Sequence, residues 1–133
     1  MTIAVDFDGT IVEHDYPRIG KEKPFALETL RALSAQGHKL ILWTAREGKL
    51  LDEAVAWCRE RGVDFYAVND DKPAGSLFPG KRTGSKVIAD IYIDDRNFGG
   101  LPDWGEIYDR IVTGKETRPV RKKKKRFRLF RRR

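Results

Sequence analysis

Residues 2–10 read TIAVDFDGT, a short apolar run that ends in two aspartates, a glycine and a threonine. The run Ile3–Val5 is typical of a buried strand, and Gly9 lets the chain turn sharply where the strand ends. Asp6 and Asp8 are two residues apart on extended backbone, so their carboxylates point to the same side. The stretch therefore predicts a strand that brings two carboxylates to one edge of a sheet.

Short apolar runs and helical periodicities alternate along the rest of the chain. Further strands are predicted at residues 39–43, 64–68 and 88–93, and helices at about 24–37, 47–61 and 104–112. This alternation predicts an α/β protein, a three-layer Rossmann-like fold with a mainly parallel sheet of about four strands. The strand order is 4-1-2-3 if the fourth strand returns to the far side of the first. Open sheets of this kind bind ligands at the carboxyl ends of their strands.

A second acidic pair, Asp94-Asp95, closes the predicted fourth strand. In the order 4-1-2-3 this strand neighbours the first, at a spacing of about 4.8 Å. Up to four carboxylates then crowd into one site, and like charges at that range require a cation. Oxygen ligands at a phosphate-handling site favour Mg²⁺. The predicted metal site therefore consists of Asp6, Asp8, Asp94 and Asp95.

Two more residues are predicted to contact a phosphoryl group. Thr44 follows the second strand, and its hydroxyl can donate to a phosphoryl oxygen, with a helix N-cap as the alternative role. Lys86, just before the fourth strand, is the predicted cation, and Lys72 and Lys81 are the alternatives. Residues 69–71 follow the third strand, about 10 Å from the first, so their acids are expected to lie in a loop or at the outer rim.

Several other residues near the strand ends have alternative interpretations. His14 is expected to be a loop residue, with substrate contact as the alternative. Arg46 and Arg96 each follow a strand end and are candidates for binding a second anionic group of the substrate. Cys58 lies on the apolar side of its helix and is expected in the core.

The stretch Asp6–Thr10, the run Leu40–Thr44, Lys86 and the run Ile91–Asp95 resemble the four motifs of the haloacid dehalogenase superfamily, in that family's order. The resemblance covers roughly residues 1–112. Within that superfamily the chain is also similar to a group of small bacterial hydrolases. The segments that carry this second likeness are residues 12–14, 16–20 and 94–97.

The resemblance implies a Mg²⁺-dependent phosphatase that works through an aspartyl-phosphate. Asp6 would be the nucleophile, and Asp8 would protonate the leaving group and then activate water. The ion would be held by Asp6, the backbone carbonyl of Asp8, and Asp94, with Asp95 in support. No segment is long enough for a separate cap domain, and the longest insertions are residues 11–23 and 69–85. The substrate and the oligomeric state are not predicted.

The charge divides the chain of 133 residues into two parts. Residues 115–133 hold 12 Lys or Arg and one acid, a charge of +11, whereas residues 1–114 carry −4. The first part is predicted to be the catalytic domain and the second a basic, disordered tail. The tail is a candidate for binding nucleic acid or, with Phe127, Leu129 and Phe130 inserted, an anionic membrane surface. With a single cysteine and no signal-like or membrane-spanning run, a cytoplasmic location is expected, with the tail as a possible peripheral membrane contact.

Two other classes of function remain open from the sequence. A phosphoacceptor signalling domain also gathers aspartates, a threonine and a lysine around Mg²⁺. Its usual layout places the acidic pair first and the acceptor later, which is the reverse of Asp6–Thr10. A protein that binds nucleic acid or membranes through its tail, with an idle domain, is the other alternative.

Overall fold

The computed structural model describes residues 1–73 and 87–114. Four strands and three helices occur in these residues: β1 (Thr2–Val5), α1 (Ala26–Ala35), β2 (Lys39–Leu42), α2 (Gly48–Glu60), β3 (Ala67–Val68), β4 (Ile91–Ile93) and α3 (Trp104–Thr113). All seven occur where the sequence predicts an element of that type. The helices keep their predicted length within two residues or so at each end, which is the usual uncertainty of a helix boundary.

The four strands form one parallel sheet in the order β3-β2-β1-β4. This confirms the predicted α/β class and the strand order 4-1-2-3, which is the same order read from the other edge. Val5 pairs with Leu42 of β2 on one side and with Ile93 of β4 on the other. Three strands therefore end at the same level, and the residues that follow them start from neighbouring positions.

The alternation of side chains along each strand divides the core into two clusters. Ile3, Val5 and Leu42 face the larger cluster, to which all three helices contribute buried residues. The smaller cluster lies on the opposite face of the sheet, where Ala4 and Ile41 pack with residues of the segments that flank β3 and β4. The larger cluster fixes the helices against the sheet and so sets where the loops after β1 and β2 begin.

Two strands are shorter than their apolar runs predicted. β3 covers residues 67–68 rather than 64–68, and β4 covers 91–93 rather than 88–93. Ile88 is 73% exposed, and the backbone amide of Ala89 donates to the hydroxyl of Tyr92 instead of to a neighbouring strand. Apolar composition marked the region of each strand, whereas its ends depend on which neighbours are there to pair with.

The insertion after β1, residues 11–23, folds back on itself. The amide of Glu13 donates to the carbonyl of Lys21 at 2.7 Å, and the amide of Lys23 donates to the carbonyl of Ile11 at 2.9 Å. Within the described residues this insertion is a short hairpin-like loop and not a separate cap. The predicted tail, residues 115–133, lies outside the described part of the chain. In residues 1–73 and 87–114, no helix has the length and apolar character needed to cross a membrane.

Candidate active site

Three carboxylates meet at the shared end of β1 and β4. Asp6, Asp94 and Asp95 each offer an oxygen, and these oxygens all lie within 4.8 Å of one another. The pairing of β1 with β4 produces this arrangement, and the amide of Asp6 donates to the carbonyl of Ile93 at 3.0 Å. The two predicted acidic pairs are thus brought together, with three of the four predicted carboxylates in one cluster.

Among the carboxyl groups that the structure describes, Asp6 has the largest change in pKa. The pKa of Asp6 is raised to about 7, chiefly by burial and in smaller part by the negative charges of Asp94, Asp95 and Asp8, while a hydrogen bond from the backbone of Phe7 lowers it. A carboxyl group whose ionisation is resisted by burial and by neighbouring acids is stabilised as an anion when a cation binds beside it. Its environment therefore fits a divalent cation.

Thr10 links the end of β1 to the end of β4 next to the three carboxylates. Its buried hydroxyl accepts the amide of Asp95 at 3.0 Å and lies 3.4 Å from a carboxylate oxygen of Asp6. The indole of Trp104, at the start of α3, donates to the carbonyl of Thr10 at 2.9 Å. The sequence singled out Thr10 only as part of the motif Asp6–Thr10, and the structure links both Thr10 and the buried Trp104 to the position of Asp95.

Gly9 is required by two features of the site. Its φ of +83° is a conformation that residues with a Cβ rarely adopt. A Cβ at this position would also collide with a carboxylate oxygen of Asp95 and lie 2.8 Å from the ring of His14. The glycine lets the loop after β1 pass directly under the carboxylates that follow β4.

Asp8 makes a different set of contacts from the other three acids. Nε and Nη2 of Arg46 each donate to one of its carboxylate oxygens, both at 2.8 Å. The Arg46 side chain is fully buried in this bidentate pair, and that of Asp8 is 12% exposed. The suggestion that Arg46 binds a second anionic group of the substrate is therefore wrong, because its guanidinium is already enclosed.

Thr44 lies beside Asp8 at the end of β2. Its hydroxyl oxygen accepts the amide of Arg46 at 3.2 Å, and its own amide donates to the side chain of Asn69 at 2.8 Å. Helix α2 begins later, with Glu47 as its N-cap, so Thr44 is not the cap that the sequence left as an alternative. Among residues 1–73 and 87–114, no acceptor takes the hydroxyl hydrogen of Thr44, which can therefore be donated to a ligand. Asn69, which follows β3, is a supporting residue that sequence reasoning had assigned to a loop.

The carboxylates open into a cleft with a volume of about 590 Å³. Asp6, Asp8, Asp94 and Thr44 line it together with two aromatic residues, Tyr16 and Trp43. Trp43 also packs against the ring of Tyr92, so it both lines the cleft and belongs to the smaller core cluster. Asp95 is not among the residues that line the cleft, although it offers one of the three clustered carboxylate oxygens.

His14 and Arg96 also line the cleft, and Arg96 brings a positive charge to it. The imidazole of His14 lies 4.0 Å from the Asp95 carboxylate. Arg96 is exposed, and its amide donates to the side chain of Asp94 at 2.9 Å. Both residues can meet an anion that enters the cleft.

The predicted phosphate-binding lysine has no described position. Lys86 and its alternative Lys81 lie outside the described residues, and Lys72 is exposed in the loop after β3. Asp70 and Asp71 in the same loop accept backbone amides, from Lys72 at 3.0 Å and from Ile88 at 3.1 Å. The two acids therefore take the loop position expected for them, and in the described part of the chain they are not members of the carboxylate cluster.

The chain is similar to a solved structure described as a conserved protein coded by a locus from Bacteroides thetaiotaomicron. The two share 60% sequence identity over 86% of this chain and 91% of the other, with a TM-score of 0.78. No protein-family model matches the chain, and no curated protein does.

Proposed function

We propose that this chain, which belongs to the same family as the conserved Bacteroides thetaiotaomicron protein, is a Mg²⁺-dependent phosphohydrolase that acts through an aspartyl-phosphate. The observation that carries the proposal is the convergence of three carboxylate oxygens, from Asp6, Asp94 and Asp95, within 4.8 Å of one another. They lie at the carboxyl ends of parallel strands, where open α/β sheets hold their ligands.

The donor set fits Mg²⁺. Asp6 and Asp94 line the cleft and offer hard oxygen ligands, the backbone carbonyl of Asp8 would add another, and Asp95 would support them. Burial and the neighbouring carboxylates raise the pKa of Asp6, and a cation bound beside it would favour the ionised form. When bound, the ion would neutralise charge on the phosphoryl group and keep Asp6 ionised.

Asp6 is the proposed nucleophile. Its carboxylate oxygen would attack the phosphorus of a phosphate monoester as the bond to the leaving oxygen breaks, and the leaving oxygen would take a proton from Asp8. In the second step Asp8 would take a proton from water, whose oxygen attacks the phosphorus. The bond to Asp6 then breaks and inorganic phosphate leaves. The bidentate contact with Arg46 supports the second role of Asp8, because it fixes the position of both carboxylate oxygens at the cleft.

Donors around the cleft are placed to bind the oxygens of the transferred group. Thr44 and Arg96 line the same cleft as Asp6 and Asp94, so the hydroxyl and the guanidinium would donate to phosphoryl oxygens there. Such donors stabilise the negative charge that spreads over the phosphoryl oxygens in the transition state. Lys86 remains the proposed additional cation on the grounds of the sequence alone.

The decisive experiment compares the wild-type chain with Asp6→Asn in a screen of phosphorylated metabolites and aryl phosphates, with Mg²⁺ and with EDTA. The substitution is nearly isosteric, so the fold should persist while hydrolysis is abolished. EDTA should stop wild-type hydrolysis, and added Mg²⁺ should restore it. A variant that keeps more than a few per cent of the wild-type rate would exclude Asp6 as nucleophile. One turnover per chain, followed by arrest, would favour the phosphoacceptor alternative.

A cytoplasmic location and a polyanion partner for the tail complete the proposal. The one cysteine of the chain is buried in the core, where burial raises the pKa of its thiol to about 12, and it serves packing. The charge of +11 on residues 115–133 supports attraction to nucleic acid or to an anionic membrane surface.

A further inference from the structure

Arg46 is an unusually enclosed charged residue, with 1% of its surface exposed. Two of its N–H groups donate to Asp8, and the others point to backbone carbonyls. Nη1 donates to Pro17 at 3.2 Å and lies 3.5 Å from the carbonyl of Leu50, and Nη2 donates to Arg18 at 2.8 Å. The five N–H groups of the guanidinium thus meet five acceptors.

The acceptors belong to three separate parts of the fold. Asp8 follows β1, Pro17 and Arg18 belong to the loop formed by residues 11–23, and Leu50 lies in the first turn of α2. The guanidinium also packs against the rings of Phe7 and Tyr16, each with its centroid 5.1 Å away. These contacts hold the guanidinium group in a single orientation, and that orientation fixes the position of both carboxylate oxygens of Asp8.

We infer that Arg46 is a positioning residue, which holds the Asp8 carboxylate in the geometry needed to activate the attacking water. The inference rests on the proposed phosphohydrolase function. Arg46 is among the residues of the cleft wall, but its guanidinium is buried and its N–H groups are taken up inside the protein, so it would act through Asp8.

The step that depends on this geometry is the hydrolysis of the aspartyl-phosphate. A proton passes from water to an Asp8 oxygen while the water oxygen bonds to phosphorus, and the bond from phosphorus to Asp6 breaks. A displaced base loses rate steeply, and a misplacement of about 1 Å can cost on the order of 10²-fold. Arg46→Lys keeps the positive charge, but the compact ammonium group of lysine lacks the planar pair of donors that binds both carboxylate oxygens of Asp8.

The test uses the full chain with Mg²⁺ and 4-nitrophenyl phosphate, whose leaving group needs little help from an acid. Arg46→Lys should lower kcat on the order of 10²-fold with KM changed by less than about threefold. The first turnover should remain fast, so a burst of about one 4-nitrophenol per chain should precede the slow steady state. The matched control is Arg59→Lys, which makes the same change in an exposed ion pair on α2 and should leave kcat unchanged.

A double-mutant cycle tests whether Arg46 acts through Asp8. In an Asp8→Asn background, Arg46→Lys should change kcat by less than about threefold, because the group that it positions is already absent. If Arg46→Lys alone fails to fold, Asp8→Asn is compared with the double variant Asp8→Asn plus Arg46→Gln, which buries no unpaired charge. Equal rates in this pair support the inference, and a further tenfold loss overturns it.

The remaining outcomes separate the inference from the proposed function. If Arg46→Lys turns over at the wild-type rate, the positioning role is overturned. The same holds if Arg46→Lys is slow but shows no burst, and in either case the proposed function stands. A wild-type chain that hydrolyses none of the phosphates in the screen overturns the proposed function and, with it, this inference.

Discussion

The surroundings of Asp6 oppose its ionisation. This predicts that the stability of the fold depends on pH, which can be measured without a substrate. The carboxyl of Asp6 has a pKa of about 7 in the folded protein, against 3.8 for an ordinary aspartate. Between about pH 4 and 7 the folded chain therefore binds more protons at this residue than the unfolded chain. The free energy of unfolding should fall as pH rises through that window and level off above pH 7.

Asp6→Asn removes this titration. We expect the difference in melting temperature, variant minus wild type in EDTA, to increase from pH 4 to pH 7 and to stay constant above pH 7. Thermal unfolding followed by circular dichroism across this range measures the difference. Saturating Mg²⁺ at pH 8 should reduce the advantage of the variant, because the ion stabilises only the ionised aspartate. A difference that does not vary with pH would contradict the raised pKa.

Gly9 offers a second test at the scale of one residue, and Gly100 is its matched control. Both have a φ of +83°, but a Cβ on Gly100 would meet nothing within 4 Å, whereas one on Gly9 would meet Asp95 and His14. Gly100→Ala should cost about 1–2 kcal/mol of backbone strain. Gly9→Ala should cost more than that and should also weaken Mg²⁺ binding, because Asp95 must move. Chemical denaturation and a Mg²⁺ titration measure the two effects, and equal losses in both variants would remove the packing argument.

The end of β4 is the element on which the proposed metal site depends. Asp94→Ala should raise the Mg²⁺ concentration needed for half-maximal hydrolysis by more than about tenfold, or abolish activity, because one ligand is lost. Asp70→Ala is the control, since Asp70 caps its own loop through the amide of Lys72. Activity measured against Mg²⁺ concentration compares them. Equal shifts in the two variants would show that the acidic loop after β3 belongs to the site after all.

The sequence predicted the elements of this fold better than it predicted their ends. The apolar runs of β1 and β2 lie in the middle of the sheet with partners on both sides, and each ends within a residue or two of its prediction. β3 and β4 are the edge strands, each with one partner, and their pairing stops after two and three residues. Hydrophobicity records burial, whereas a strand also needs a neighbour to pair with, and that neighbour comes from the tertiary fold.

The same distinction separates the parts of the candidate site. The convergence of Asp6 with Asp94 follows from strand order alone, so the spacing of the motifs was enough to predict it. The pairing of Asp8 with Arg46 spans 38 residues, and the sequence suggested a different role for the arginine. The ion pair could have been predicted from the register of β1 and β2. Val5 pairs with Leu42, and Asp8 and Arg46 follow these two strand ends at similar distances along the chain.

At the scale of the whole molecule, the charge predicts a division of labour between residues 1–114 and residues 115–133. The first part carries −4 and contains every residue of the proposed site, and the second carries +11. A chain that ends at residue 114 should therefore fold and hydrolyse 4-nitrophenyl phosphate within about threefold of the full-length rate, a difference of only ~0.65 kcal/mol in the barrier. Loss of hydrolysis with the fold intact would show that the basic segment takes part in the active site.

The full-length chain, but not the truncated one, should bind polyanions at low salt. Binding to duplex DNA and to phosphatidylserine vesicles should weaken steeply between about 50 and 200 mM salt, because both screening and the release of counterions oppose it. Replacing Phe127 and Phe130 with serine separates the two partners. A loss confined to the vesicles would favour a membrane surface, where apolar side chains insert, and unchanged binding to both would leave charge alone as the determinant. Binding that survives the truncation would instead assign the polyanion site to residues 1–114, and the basic segment would then not determine where the protein binds.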